Sequence, residues 1–160
     1  MKLITVSTSI EIYDSIDELP AEVINLMNVA VAAREKAYAP YSKFHVGAAI
    51  LLDNKEIIPG SNQENASYPS GLCAERTAIY FAGAKYPEAI IKRIAISAAS
   101  QNHAVKTPIP PCGACRQAIA EYEVKQKEPI EIYFMGESGE VAKSNSLKDL
   151  LPFAFDKSNL

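Results

Sequence analysis

No stretch of this sequence is apolar for long. The longest such runs, as at residues 46–52, fall far short of the roughly 20 residues that a membrane-spanning helix needs. Positive charge is not in excess: 16 Lys and Arg stand against 19 Asp and Glu, a formal net charge of −3. The basic footprint of a nucleic-acid binder is therefore missing. Residues 1–15 carry a single Lys and no unbroken apolar region before a small-residue cleavage site. They do not read as a secretory signal, so cytoplasmic residence with no membrane attachment is expected. Internal repeats and low-complexity tracts are absent, which excludes solenoids and propellers. Cysteine is scarce and odd in number, with three in 160 residues. That argues against a disulfide framework.

What is present suits one globular domain. Hydrophobic residues make up 48% and charged residues 22% of the chain, enough apolar material for a real core. Residues 1–20 look like an N-terminal extension in which Ile10 and Ile12 alternate as in a strand. Residues 21–160 are expected to form the single domain. Ser15 or Asp17 is a candidate helix cap, and Pro20 suits a first turn. Val23, Leu26, Met27, Ala30, Val31 and Arg34 then follow helical spacing, predicting a helix over 21–37. Strands are predicted at 46–52 and 56–62, joined by a turn at Asp53, Asn54 and Lys55. Further strands are predicted at 92–99, 130–135 and near Val141. Helices are predicted at 73–85, 112–124 and 147–151, the last capped by Ser146. Alternation of strands and helices after the hairpin predicts a three-layer α/β/α domain with a mixed sheet. In such a fold the site lies where helix N-termini meet one sheet edge.

Two predicted helices begin with cysteine. Cys73-Ala74-Glu75-Arg76 opens one, and Pro111-Cys112-Gly113-Ala114-Cys115-Arg116 opens the other. Thiolates three positions apart converge on one ion from a first helical turn, and Cys73 can add a third ligand. Three protein ligands leave a tetrahedral ion one open position for water, the mark of a catalytic rather than structural zinc. The pattern agrees with the zinc deaminase signature, a Cys or His two residues before Glu, followed by Pro-Cys-x-x-Cys. Glu75 can face that water without being a ligand and act as general base and acid. Three thiolates carry more charge than one Zn²⁺ cancels. The helix N-termini, and Arg76 as the natural side chain, are expected to compensate.

These residues sit within four ordered motifs through which the chain resembles the small, homotetrameric, zinc-dependent cytidine deaminases. They are AREKAYAPYSKFHVGAA at 33–49, NQENASYPSGLCAERTA at 62–78, PPCGACRQ at 110–117 and LLPFAF at 150–155. The resemblance implies a five-stranded deaminase sheet, one Zn²⁺ per chain on Cys73, Cys112 and Cys115, and Glu75 as proton shuttle. It implies that Asn62 and Glu64 hydrogen-bond the ribose and that Phe44 packs on the pyrimidine. Ala74 would offer its N–H to the base carbonyl, and Arg76 would bond the thiolates. Tyr68 would lie near a neighbouring subunit's site, and Phe155 would reach substrate across a tetramer interface. The implied reaction is hydrolytic deamination of cytidine and 2′-deoxycytidine in pyrimidine salvage, with a free nucleoside as partner and no nucleic acid. Three positions depart from the family pattern: His45 for a proline, Pro110 for a common serine and Phe153 for a glycine.

Plainer readings compete. A lone Cys-x-x-C can be a redox pair or a structural metal knuckle, but the first leaves Cys73 and Glu75 unused and the second lacks a fourth ligand. Asn62 and Glu64 could simply stabilise a polar loop, and Phe44 could be core. Deoxycytidylate, polynucleotide and blasticidin-type deaminases share the scaffold. The first two usually carry His-Ala-Glu where this chain has Cys73-Ala74-Glu75, and they act on phosphate-bearing substrates that an acidic chain disfavours. An inert zinc-binding module would have no need of Glu75.

Overall fold

One sheet with two apolar faces organises the chain. The computed structural model describes residues 1–160. Its elements are β1 (Glu11–Tyr13), α1 (Ala21–Arg34), β2 (Phe44–Leu52), β3 (Ile57–Ser61), α2 (Ala74–Lys85), β4 (Ile91–Ser100), α3 (Gly113–Gln126), β5 (Glu131–Met135), β6 (Val141–Ser144) and α4 (Leu147–Leu150). Short 3-10 turns lie at Ile16–Glu18, Tyr68–Ser70 and Lys157–Asn159. Strand order is β1-β6-β5-β4-β2-β3. Only β4 and β5 run parallel, joined by a crossover through α3, and every other pair is antiparallel.

Successive strand residues point to opposite faces, and here both faces are covered. That is why β2 is a nearly unbroken apolar run. Ala48, Ile50 and Leu52 join α2, α3 and α4 in one core through Ile79, Ile119 and Leu147. Ala49 and Leu51 join α1 in the other, against Val23, Leu26, Met27 and Ala30. The three-layer α/β/α expectation holds, with α1 on one side and the remaining helices on the other.

The sheet has six strands, not the expected five. The sixth is β1, laid antiparallel against β6 with Glu11 opposite Lys143. Lys143 Nζ and Asn145 Nδ2 donate to the Glu11 carboxylate at 3.2 and 2.8 Å. Tyr13 packs beneath, on the α1-side core. The N-terminal strand is only these three residues, and residues 1–10 are exposed and outside any ladder. Helix α1 ends at Arg34 rather than at 37. The amides of Lys36 and Ala37 close tight turns onto Ala33 and Arg34, and Tyr38 N donates across to Asn62 O at 3.0 Å. That bond pulls the chain off the helix axis toward the site. Ser15 caps the first 3-10 turn, leaving Pro20 at the N-cap of α1, and Ser146 caps α4 as expected.

Gly47 lets α1 lie directly on β2. A Cβ there would sit 2.0 Å from Ala30 O and 2.4 Å from Arg34 N, both main-chain atoms. We expect Gly47→Ala to lower stability by about 3 kcal/mol, since the helix must lift off the sheet. A urea unfolding midpoint unchanged from wild type would contradict this packing.

Candidate metal and substrate site

Helices α2 and α3 both begin beside the pocket mouth. Cys73 is the N-cap of α2 and Cys112 the N-cap of α3, each with extended backbone, and neither side chain caps its own helix. Both sulfurs are thus free to point outward from the helix start. Cys115, in the first turn of α3, is fully buried, whereas Cys73 is half-buried and Cys112 exposed. The sulfurs lie 3.8 Å apart for Cys73 and Cys112, 3.5 Å for Cys112 and Cys115, and all within 4.8 Å of one another. A tetrahedral ion with metal–sulfur bonds of about 2.3 Å requires sulfurs about 3.8 Å apart. The donor set fits zinc. The three cysteines are free, and their spacings far exceed a disulfide bond of about 2.05 Å.

The surrounding charges suit thiolates. Arg76 Nη2 donates to Cys73 Sγ at 3.7 Å, while its buried Nε has no partner. Hydrogen bonding from the Cys115 thiol draws the Cys73 pKa down to about 5, with burial opposing and Arg76 and Cys112 adding to the pull. Cys115 is pushed up, first by that same bond and then by burial. The two shifts describe one shared proton. Glu75, on the first turn of α2, is 5% exposed. Burial pushes its carboxyl above the usual carboxylate range, and the Cys73 charge adds to this.

A cavity of about 660 Å³ opens onto these groups. Of the residues singled out in the sequence, Phe44, Asn62, Glu64, Tyr68, Cys73, Glu75, Arg76 and Cys112 line it. Ala74 and Cys115 lie behind that wall, fully buried. Phe155 does not line this cavity and is 59% exposed, with its carbonyl held by Gln117 Nε2 at 2.8 Å. Among the three departures from the family pattern, Pro110 lines the cavity. His45 pairs with Gln101 at 3.2 Å, and Phe153 is exposed.

The polar wall is held by its own backbone. Asn62 Oδ1 accepts from Val46 N at 2.8 Å and Asn62 Nδ2 donates to Phe44 O at 2.9 Å, which aims the start of β2 at the cavity. Glu64 Oε2 accepts from the N–H groups of Tyr41 and Ser42 at 2.9 and 3.3 Å. Those donors and the Ser42 hydroxyl outweigh desolvation and keep the Glu64 carboxyl below its usual range. Its other oxygen has no partner within the chain. Sequence reasoning missed Tyr41, Leu72 and Ile109 as wall residues. Tyr41 lies inside a quoted motif and faces Tyr68 across 6.3 Å between ring centroids. Ile109, in a proline-containing loop, offered no signal.

Fold and site together define a class: α/β proteins in which three thiols able to hold a metal come from two helix N-termini beside a buried glutamate. The sequence profile described as "Cytidine and deoxycytidylate deaminase zinc-binding region" matches residues 21–127. The chain is 40% identical to a cytidine deaminase of Halalkalibacterium halodurans over 84% of its own length and 95% of that protein's. It is 39% identical to one from Sporosarcina psychrophila, covering 87% and 95%. The crystal structure of cytidine deaminase from Burkholderia pseudomallei superposes with a TM-score of 0.71 at 41% identity, covering 86% of this chain and all of that one. That from Mycobacterium tuberculosis gives 0.65 at 29%, covering 86% and 99%. The chain belongs to the cytidine and deoxycytidylate deaminase family.

In metal-free protein, a Cys73 pKa of about 5 makes it a thiolate at neutral pH, whereas an ordinary thiol of pKa about 8.5 is mostly protonated there. Alkylation of Cys73 by iodoacetamide should therefore level off above about pH 6. A rate still climbing through pH 8 would contradict the shared-proton arrangement.

Proposed function

We propose that this chain catalyses zinc-dependent hydrolytic deamination of cytidine and 2′-deoxycytidine, giving the uridine product and ammonia. The observation that carries this reading is the meeting of three thiols with buried Glu75 at the floor of a nucleoside-sized cavity. Family membership supports the reaction class. Cys73, Cys112 and Cys115 would hold one Zn²⁺, which supplies Lewis acidity and so activates water near neutral pH. Arg76 and the N-termini of α2 and α3 would offset the thiolate charge.

Glu75 does the proton work. Burial raises the proton affinity of its carboxylate, which makes it a stronger base toward the attacking water and lets it carry the proton onward. Water adds its oxygen to C4. Glu75 carries its proton to ring N3, then a second proton to the departing amine, which leaves as ammonia. Phe44 packs against the pyrimidine. Ala74 N–H, an unpaired donor in the first turn of α2, meets the base carbonyl. The free oxygen of Glu64 and the remaining capacity of the Asn62 amide receive the ribose hydroxyls. A carboxylate held ionised there repels phosphate, so the free nucleoside is preferred to its monophosphate.

Residues 21–160 form the deaminase domain in this reading, with 1–20 as an extension. The profile match beginning at residue 21 supports that boundary. Cytoplasmic residence and a part in pyrimidine salvage belong to the same reading. It is consistent with them that no helix is long and apolar enough to cross a membrane. A homotetramer is supported by Phe81, Phe153 and Phe155, large apolar side chains 53%, 80% and 59% exposed. Phe155, held away from its own cavity, would then serve a neighbouring copy, whereas Tyr68 lines the cavity of its own chain.

With cytidine, the purified zinc protein should lose the cytosine absorbance and release ammonia, with far weaker turnover of cytidine monophosphate. Glu75→Gln should keep zinc and fold yet lose kcat by about 10³. Comparable monophosphate turnover, or an active Glu75→Gln variant, would contradict the assignment. In sedimentation velocity the active species should be a tetramer, and a stable active monomer would remove Phe155 from the site.

A further inference from the structure

Residues 106–111 carry two wall residues of the cavity, Ile109 and Pro110, and deliver Cys112, yet no main-chain hydrogen bond involves any of the six. Pro108, Pro110 and Pro111 have no N–H to give. Ile109 and Pro110 line the cavity, and Cys112 follows at once. Lys106 and Thr107 pack against Gly139 and Gly136, Pro111 is buried, and the one hydrogen bond made to the segment comes from a side chain. Arg116 Nε donates to Pro111 O at 2.8 Å. From the same guanidinium, Nη1 donates to Leu150 O at 2.9 Å, at the end of α4. The next residue, Gln117, holds Phe155 O at 2.8 Å.

Cys73 and Cys115 do not need such help. Cys115 is buried within the first turn of α3, and Cys73, half-buried at the N-cap of α2, has Arg76 against its sulfur. Cys112 is the exposed member of the three, at the junction of an unbonded loop with α3. We propose that Arg116 is a positioning residue. Its guanidinium spans the carbonyls of Pro111 and Leu150, fixing the Cys112 thiol and the Ile109–Pro110 wall against the C-terminal segment. The planar fork of arginine suits this, because two of its N–H groups can serve two separate acceptors, whereas an ammonium is a point donor. Arg116 faces neither substrate nor metal; it acts through Cys112 and the wall. The proposal takes from the preceding section only the assignment of the three thiols to zinc.

The test compares zinc-loaded wild type with Arg116→Gln and Arg116→Lys. Zinc release into excess chelator, kcat and KM for cytidine, and thermal midpoint are measured on each. Arg116→Gln should release zinc about tenfold faster or more, with kcat reduced by a similar factor. Arg116→Lys, able to reach one carbonyl but not both, should fall between. An Arg116→Gln variant that melts earlier but keeps wild-type zinc release, kcat and KM would overturn the proposal. If that variant does not fold, Arg116→Lys decides, and wild-type release from it is equally fatal. Wild type that binds zinc but leaves cytidine unchanged would defeat the function proposed above, while the release rates would still decide Arg116. Wild type that binds no zinc would defeat both.

Discussion

Three sulfur atoms cannot stand within 4.8 Å unless two helices are made to begin at the same place. The rest of the architecture serves that condition. The single parallel pair, β4 and β5, forces a crossover, and α3 is that crossover. Its first turn is therefore carried to the same sheet edge where α2 starts after β3. The shared core of Ile79, Ile119, Ile50 and Ile96 locks both helices to one sheet face, so their starts cannot drift independently. Unpaired N–H groups then accumulate at one spot from two helices, which is favourable only if negative charge is placed there. The cysteines are where the fold most needs anionic groups.

The reading of the sequence succeeded where local chemistry and tertiary need coincide. The meeting of Cys73, Cys112 and Cys115 near Glu75 was legible because cysteine spacing and two helix starts lie within two short motifs. The hairpin of β2 and β3 was legible because its turn residues separate two apolar runs. Failures came where a distant contact decided. Residues 35–37 have helix-forming composition, yet the bond from Tyr38 to Asn62 ends the helix first. The alternation of Ile10 and Ile12 announced the N-terminal strand, but its joining the sheet as a sixth strand depends on Glu11 meeting Lys143 and Asn145, over 130 residues away. The loop that carries the wall residue Ile109 is tied at Pro111 O to Arg116, again a contact invisible in one dimension.

Asn62 and Glu64 illustrate a different point. The plain reading of these residues, as stabilisers of a polar loop, describes the structure. Asn62 stitches Phe44 and Val46 to the strand end, and Glu64 gathers the amides of Tyr41 and Ser42. Each spends part of its hydrogen-bonding capacity on the chain and retains part for a ligand. Their side chains are already oriented before anything binds, so little rotamer freedom remains to be lost on binding. In a wall made mainly of aromatic and aliphatic groups, such fixed polar atoms decide orientation.

The segment from 106 to 111 has a consequence for motion. A loop without main-chain hydrogen bonds would ordinarily be soft, since nothing in the folded state resists its rearrangement. Here half of its six residues are proline, each with φ already confined, and each restricting the residue before it. The unfolded chain has few alternatives to lose at this point, so order comes at small entropic loss. Part of the rigidity at this wall thus comes from the covalent chain, beside what the Arg116 bond to Pro111 O supplies. Probes that count protected amides would report the loop as mobile while its backbone stays nearly still.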